Sequence, residues 1–291
     1  MEQHFQHLFE ALSQVDGYIY PNEIDLHWGL MIVLYPYITG LVAGAFILAS
    51  LERVFNIKVL KPTYGLALLT ALAFLVVATL PLVSHLQNPL RSYEIFMTPN
   101  PTSAMAIFGF VYLWYLMAVL LLEIWFDYRR DFVIWSKESK GFKKIFYKII
   151  TLGINDTDEN SVKLDDKIGY FITVLGIPSA FLLHGYVGFI FGSIKANPWW
   201  STVLMPIIFL FSAMVSGIAL VMVIYMFVSW IRKVEIDMKC LDTIARYLLF
   251  ILITIPLFVN LKLYNLLFIF KTFSYLSIIK LLIYKNISTR I

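Results

Sequence analysis

Apolar residues run in long blocks along this chain, and charged residues collect in the gaps between them. Five stretches contain no Asp, Glu, Lys or Arg: Leu26 to Leu51, Pro62 to Leu90, Ser103 to Leu122, Ile168 to Ile194 and Ala196 to Ile231. A bilayer-spanning helix needs roughly 20 apolar residues, so each stretch predicts a span. The shorter run Tyr247 to Leu261, with Arg246 at its start, predicts a sixth. A further candidate, Leu263 to Tyr284, is interrupted by Lys271 and Lys280 and suits the membrane interface as well as its interior. The expected fold is all-α: a polytopic transmembrane helix bundle of about six clear spans plus a weak C-terminal helix.

Composition agrees. The chain is 60% hydrophobic and 14% charged, with a mean hydropathy of +0.78, where soluble proteins carry about 25% charge. The net charge of +4 does not point to nucleic acid, because the basic residues lie in loops between spans. The N-terminus has no basic region, and its first long apolar run begins near His27, too late for a cleaved leader. Phe5, Leu8, Phe9 and Leu12 have helical spacing, which suits a short amphipathic surface helix. The expected divisions are an N-terminal segment over 1–26, a bundle over 27–262 with a large loop at 127–167, and a divergent C-terminal helix over 263–291.

Loop charges give an orientation. Residues 1–27 hold five acids and no Lys or Arg. The first loop carries Arg53, Lys58 and Lys61, the second only Arg91, the fourth only Lys195, and the fifth Arg232, Lys233 and Lys239. The third loop is the most basic, from Arg129 and Arg130 through Lys137, Lys140, Lys143, Lys144 and Lys148 to Lys163 and Lys167. The positive-inside rule places the odd-numbered loops in the cytoplasm and the N-terminus outside. Phe142, Ile145, Phe146 and Ile149 form an apolar stripe among those lysines, as in a helix lying on the inner leaflet.

With that orientation the polar clusters gather at the outer edge. His27 opens span 1, His85 closes span 2, and Arg91, Asn100, Thr102 and Ser103 lie in the loop that follows. The run HGYVGFIFGSIKANPWW puts His184 and Tyr186 in the outer third of span 4, followed by Lys195. On the inner side, Glu123 sits near the end of a span. Intramembrane polar groups are costly and mark function by default. Plain structural roles compete. His27 and Trp28 suit interfacial anchors, and Trp199 and Trp200 an aromatic belt. Asn100-Pro101 suits a helix N-cap with proline at N1. Gly40 and Gly44 suit close helix packing, and Pro36, Pro178 and Pro256 helix kinks.

Cys240 is the one cysteine, so iron–sulfur ligation by this chain is not expected. Histidines grouped near one edge suit a bis-histidine haem poorly. A redox role would need an organic carrier, and a lipid quinone fits: its carbonyls need donors such as His, Tyr, Asn or Arg, and its chemistry needs proton carriers. His85, Glu123 and Lys195 are candidates for proton transfer.

The segments HWGLMIVLYPYITGLVAGAFILAS (27–50), NPLRSYEIFMTPNPTSAM (88–105) and HGYVGFIFGSIKANPWW (184–200) resemble the NrfD-like membrane subunits of polysulfide reductase and related respiratory complexes. The resemblance covers most of the region from His27 to about Tyr247 and keeps the motifs in family order. It implies a quinone-interacting integral membrane subunit built from four-helix bundles, rather than an enzyme acting alone. It implies menaquinone or a related quinone as bound substrate and no metal ligated by this chain. The implied partners are a periplasmic four-cluster iron–sulfur subunit and a catalytic subunit such as a molybdopterin oxidoreductase, in a bacterial inner membrane. Carried over by motif, the quinone-binding residues are His27, Arg91, Asn100, His184 and Tyr186. The lysine-interrupted stretch after Leu263 departs from the family's further clean spans, so a truncated or divergent C-terminus is expected. The competing reading is a transporter or channel with a polar outer vestibule. Transporters place polar residues near the bilayer midplane, where these spans carry almost no charge.

Overall fold

A computed structural model describes residues 28–86, 88–98, 102, 111 and 114–261. The elements are α1 (Leu30–Arg53), α2 (Lys61–Ala78), α3 (Leu80–His85), α4 (Glu94–Met97), α5 (Leu122–Glu138), α6 (Phe142–Ile150), α7 (Glu159–Gly192), α8 (Met205–Arg232) and α9 (Met238–Leu261). A π-helical stretch, Tyr115–Leu121, leads directly into α5. No strand occurs among the described residues.

Among the described residues five helices are long and apolar enough to cross a membrane: α1, the nearly continuous Lys58–His85, α7, α8 and α9. They account for five of the six expected spans. The third span enters the description only in part, and the segment 263–291, the region 1–27 and most of 99–113 lie outside the described residues. The helices outrun the uncharged stretches. α7 begins at Glu159 rather than Ile168, α9 at Met238 rather than Tyr247, and α5 continues to Glu138. Charge-free length measures what lipid demands, and helical hydrogen bonding does not stop where lipid does. The basic stretch 127–167 is therefore mostly helix, held together by side chains.

Helix α1 is the hub. It packs against α2, α7 and α8, and residues Thr39 to Ser50 are buried almost without a break. Its junction with α8 is very close: a Cβ on Gly44 would lie 2.2 Å from the Ala213 carbonyl oxygen, and one on Gly217 would lie 2.6 Å from the Gly44 Cα. Small residues allow such backbone approach in membranes, where packing replaces the hydrophobic drive. This bears out the packing role expected of Gly44, while Gly40 faces the His184 side chain first. Gly44→Val is expected to destabilise the bundle by about 1–3 kcal/mol, as overpacking does. A melting curve in detergent matching the parental one would overturn that assignment.

The outer surface is apolar where lipid would meet it. Leu69, Val76, Phe171, Leu182, Phe189, Val223, Phe227, Phe250 and Ile253 are all exposed. α9 is the most peripheral helix, anchored by buried Cys240, Leu241 and Ile244 and by the stacking of Phe258 on Phe211. α6 leaves Phe142, Ile145, Phe146 and Ile149 exposed, while Tyr147 stacks with Phe132 and Trp125 Nε1 donates to the Ile150 carbonyl.

Candidate functional site

His184 lies eight residues before the end of α7 and is only 2% exposed. Three helices meet around it. A cleft of about 270 Å³ runs between α1, α7 and α8, lined by Val33, Pro36, Tyr37 and Gly40, by His184 and Phe191, and by Phe209, Ser212 and Ser216, with Trp200 and Met205 at its end. The residues of α1 and α8 recur at helical intervals, so each helix turns one stripe toward the cleft. Gly40 makes the room: a Cβ there would come within 3.1 Å of His184 Cε1. Aromatic rings support the imidazole, with Phe209 at 5.6 Å from His184 and 5.5 Å from Phe191, which in turn contacts Trp200 and Trp28.

The buried Nδ1 of His184 has no hydrogen-bond partner among the described residues. In a neutral imidazole one ring nitrogen donates and the other accepts. A buried polar atom without a partner costs about 1–3 kcal/mol, and the ring atoms nearest the cleft-lining Gly40 are Cε1 and Nε2. A small ring with hydroxyl groups fits this cleft in size and chemistry.

The other sequence-predicted residues are scattered. His27 and Asn100 lie outside the described residues. Tyr186, two positions after His184, sits about 200° round the helix. It stacks on Phe189 over an open trough that includes Pro178, Phe181 and Pro206. Arg91 is exposed and forms a two-pronged bond to Glu94, at 2.7 and 2.9 Å. That bond holds the Glu94 carboxyl below its usual range, so the pair persists at neutral pH and is lost as pH falls through that lowered value. His85 ends α3 in an exposed position, and Lys195 is exposed beyond α7. None of Tyr186, Arg91, His85 or Lys195 lines the His184 cleft.

Glu123 is fully buried at the opposite end of the bundle, among partners the sequence reading did not assign. Tyr64 from α2, Asp127 one turn along α5, Arg53 at the end of α1 and Thr173 on α7 surround it. Arg53 forms an ion pair with Asp127 and donates to the Tyr64 hydroxyl at 2.9 Å. The i, i+4 spacing of Glu123 and Asp127 was the available signal. Arg53 was hidden because it counts as a loop charge. Tyr37, Ser212 and Ser216 were hidden because single polar residues in apolar runs carry no motif. Among the described residues, no group of three or more His, Cys, Asp or Glu is placed to hold a metal ion.

Long apolar helices around a ligand-sized cleft and a buried polar cluster define a multi-pass integral membrane protein. The family pattern described as polysulphide reductase, NrfD matches residues 21–283, and the chain belongs to that family. It is 36% identical over 212 residues to a selenate reductase subunit of Mesobacillus selenatarsenatis, covering 71% of this chain and 49% of that protein. It is 25% identical over 224 residues to an Hdr-like menaquinol oxidoreductase integral membrane subunit of Archaeoglobus fulgidus, covering 75% and 46%. Protein NrfD of Escherichia coli is 24% identical over 206 residues, covering 68% and 59%. The chain spans about half the length of the curated relatives it matches.

Proposed function

We propose that this chain is the membrane subunit of a respiratory oxidoreductase complex, exchanging electrons between a membrane quinol and a periplasmic four-cluster iron–sulfur subunit. A catalytic subunit, such as a molybdopterin oxidoreductase, would complete the assembly. The observation that carries this reading is the buried imidazole of His184 in the wall of the α1–α7–α8 cleft. Menaquinone or a related quinone supplies two-electron, two-proton redox chemistry when bound. The names of the relatives, a selenate reductase subunit and the integral membrane subunit of a menaquinol oxidoreductase, support the class.

Each local feature has a part in that chemistry. Phe191, Trp200 and Phe209 give the ring an apolar, water-poor seat. Gly40 keeps the space beside the imidazole open. A neutral His184 offers one ring nitrogen as acceptor for a hydroxyl proton. His27, Arg91, Asn100 and Tyr186 are assigned to quinone contact by motif. His85 and Lys195, exposed toward the same end, are assigned to passing protons to water.

The orientation follows from loop charge: N-terminus and His184 end periplasmic, the 127–167 region cytoplasmic. A single cysteine introduced as Ser139→Cys, in a background with Cys240 replaced, is expected to resist membrane-impermeant labels in intact cells. Labelling from outside reverses the orientation and moves the cleft to the wrong side. The functional class is tested by mild detergent purification followed by lipid extraction. Quinone and an iron–sulfur protein are expected to travel with the chain. Recovery of neither, with the chain intact, sinks the redox reading and favours transport.

A further inference from the structure

The polar cluster at the end of the bundle opposite His184 contains more oxygen contacts than its hydroxyl hydrogens can fill. Tyr64 Oη lies 2.5 Å from Asp127 Oδ2 and 3.2 Å from Glu123 Oε1. Thr173 Oγ1 lies 2.8 Å from Glu123 Oε1 and 2.9 Å from the Gly169 carbonyl oxygen. Tyr64 and Thr173 bring one hydrogen each. A carboxylate brings none, and the bonds that Arg53 donates go to Asp127, to the Tyr64 oxygen and to the Asp166 carbonyl rather than to Glu123. Two hydrogens thus serve four oxygen–oxygen contacts.

One more hydrogen, placed on Glu123, resolves the arrangement. Tyr64 then donates to Asp127, Thr173 to Gly169, and Glu123 Oε1–H to Thr173, which fills the three short contacts and leaves only the 3.2 Å one open. Charge leads to the same place. The cluster holds two carboxyl groups and a single guanidinium, and that guanidinium pairs with Asp127. Glu123 is fully buried, and its second oxygen, Oε2, has no partner among the described residues. The hydroxyl of fully buried Tyr115, within electrostatic reach of Glu123, also has none. An ionised carboxylate so placed would be very costly, and a buried acid neutralises instead. The π-helical stretch that carries Tyr115 ends one residue before α5 brings Glu123 into the bundle, and such stretches recur at functional sites.

We propose that Glu123 is a proton-holding site: a neutral carboxylic acid at the inner end of the bundle that exchanges its proton with the basic-loop side through Tyr64 and Asp127. The exchange is a single proton moving without electrons. Asp127 takes a proton from water and passes it to the Tyr64 oxygen, while the Tyr64 hydrogen moves to Glu123 Oε1; release is the reverse. Asp127 and Arg53, 8% and 14% exposed at their side chains, are the contact with solvent. From Thr173 to His184 is roughly 16 Å along α7, at 1.5 Å per residue. The buried residues between include Gly176, Ala180 and Leu183, so this site is separate from the cleft and stands whether or not a quinone binds there.

The test is infrared spectroscopy of the full chain in lipid nanodiscs at neutral pH. The parent is expected to show the C=O band of a protonated carboxylic acid, shifted in D2O and missing from Glu123→Gln. Tyr64→Phe is expected to keep the band while its deuterium exchange slows on the order of 10²-fold, the scale of losing a positioned proton carrier. An acid C=O band unchanged in Glu123→Gln would mean that Glu123 does not hold the proton, and the proposal fails. Exchange at the parental rate in Tyr64→Phe would overturn the route. Should Glu123→Gln not accumulate, ¹³C labelling of glutamate in the parent decides: an acid band that does not move with the label overturns the assignment.

Discussion

Replacing His184 with alanine is expected to lower quinol-linked turnover by about 10²–10⁴-fold, the usual cost of losing a positioned proton acceptor. His184 lines the α1–α7–α8 cleft, its Nδ1 has no partner among the described residues, and the Phe209 ring packs 5.6 Å from the imidazole. Assembly should survive, because the substitution removes a buried polar atom that nothing in the described structure satisfies. Electron transfer from an artificial donor straight to the iron–sulfur partner should continue at the parental rate, which separates loss of quinol chemistry from loss of the complex. Tyr186→Phe provides the comparison. Tyr186 lies on another face of α7, stacked on Phe189, so the change should cost no more than one neutral hydrogen bond, about 0.5–1.5 kcal/mol. Parental quinol turnover in His184→Ala with normal protein levels would remove the cleft from the mechanism. A Tyr186→Phe defect as severe as the His184 one would place the ring on the other face of α7.

The expected position of His184 within its span was legible because a histidine in an apolar run is conspicuous, and the span itself because lipid imposes length and composition. The company it keeps was not legible. Depth along the membrane can be counted in residues, but the direction a side chain faces depends on helix rotation and on which helices are neighbours. Tyr186 shares depth with His184 and not its face. Ser212 and Ser216 share its cleft, though nothing in their own run singles them out. Arg53 shows the same limit in charge. Counted by loop, it helped set the orientation; placed by the fold, it is bonded to Asp127 and Tyr64 beside a buried acid. The glycines were readable as a spacing, yet only the packed backbones reveal that Gly44 serves α8 and Gly40 serves the imidazole.

Arg129→Ala is expected to be among the most destabilising single changes outside the helix core, at about 3–5 kcal/mol, the cost of removing one partner from a buried ion pair. Arg129 is 2% exposed. Its Nε donates to Asp165 Oδ2 at 2.7 Å, Nη1 to the Asp156 carbonyl at 2.8 Å and Nη2 to Ser161 Oγ at 2.7 Å. One guanidinium thus fastens α5 to the first turns of α7 and to the segment that precedes it. The planar fork suits this task in a way that lysine's point charge does not, so Arg129→Lys should recover only part of the loss. Removing the arginine strands Asp165, itself buried, as an unpaired charge. The double variant Arg129→Met with Asp165→Leu should therefore be more stable than Arg129→Ala alone, since no charge is then left behind. Unfolding by denaturant in detergent micelles measures all four proteins. An Arg129→Ala midpoint within error of the parent would mean that the basic region holds its shape without this clamp.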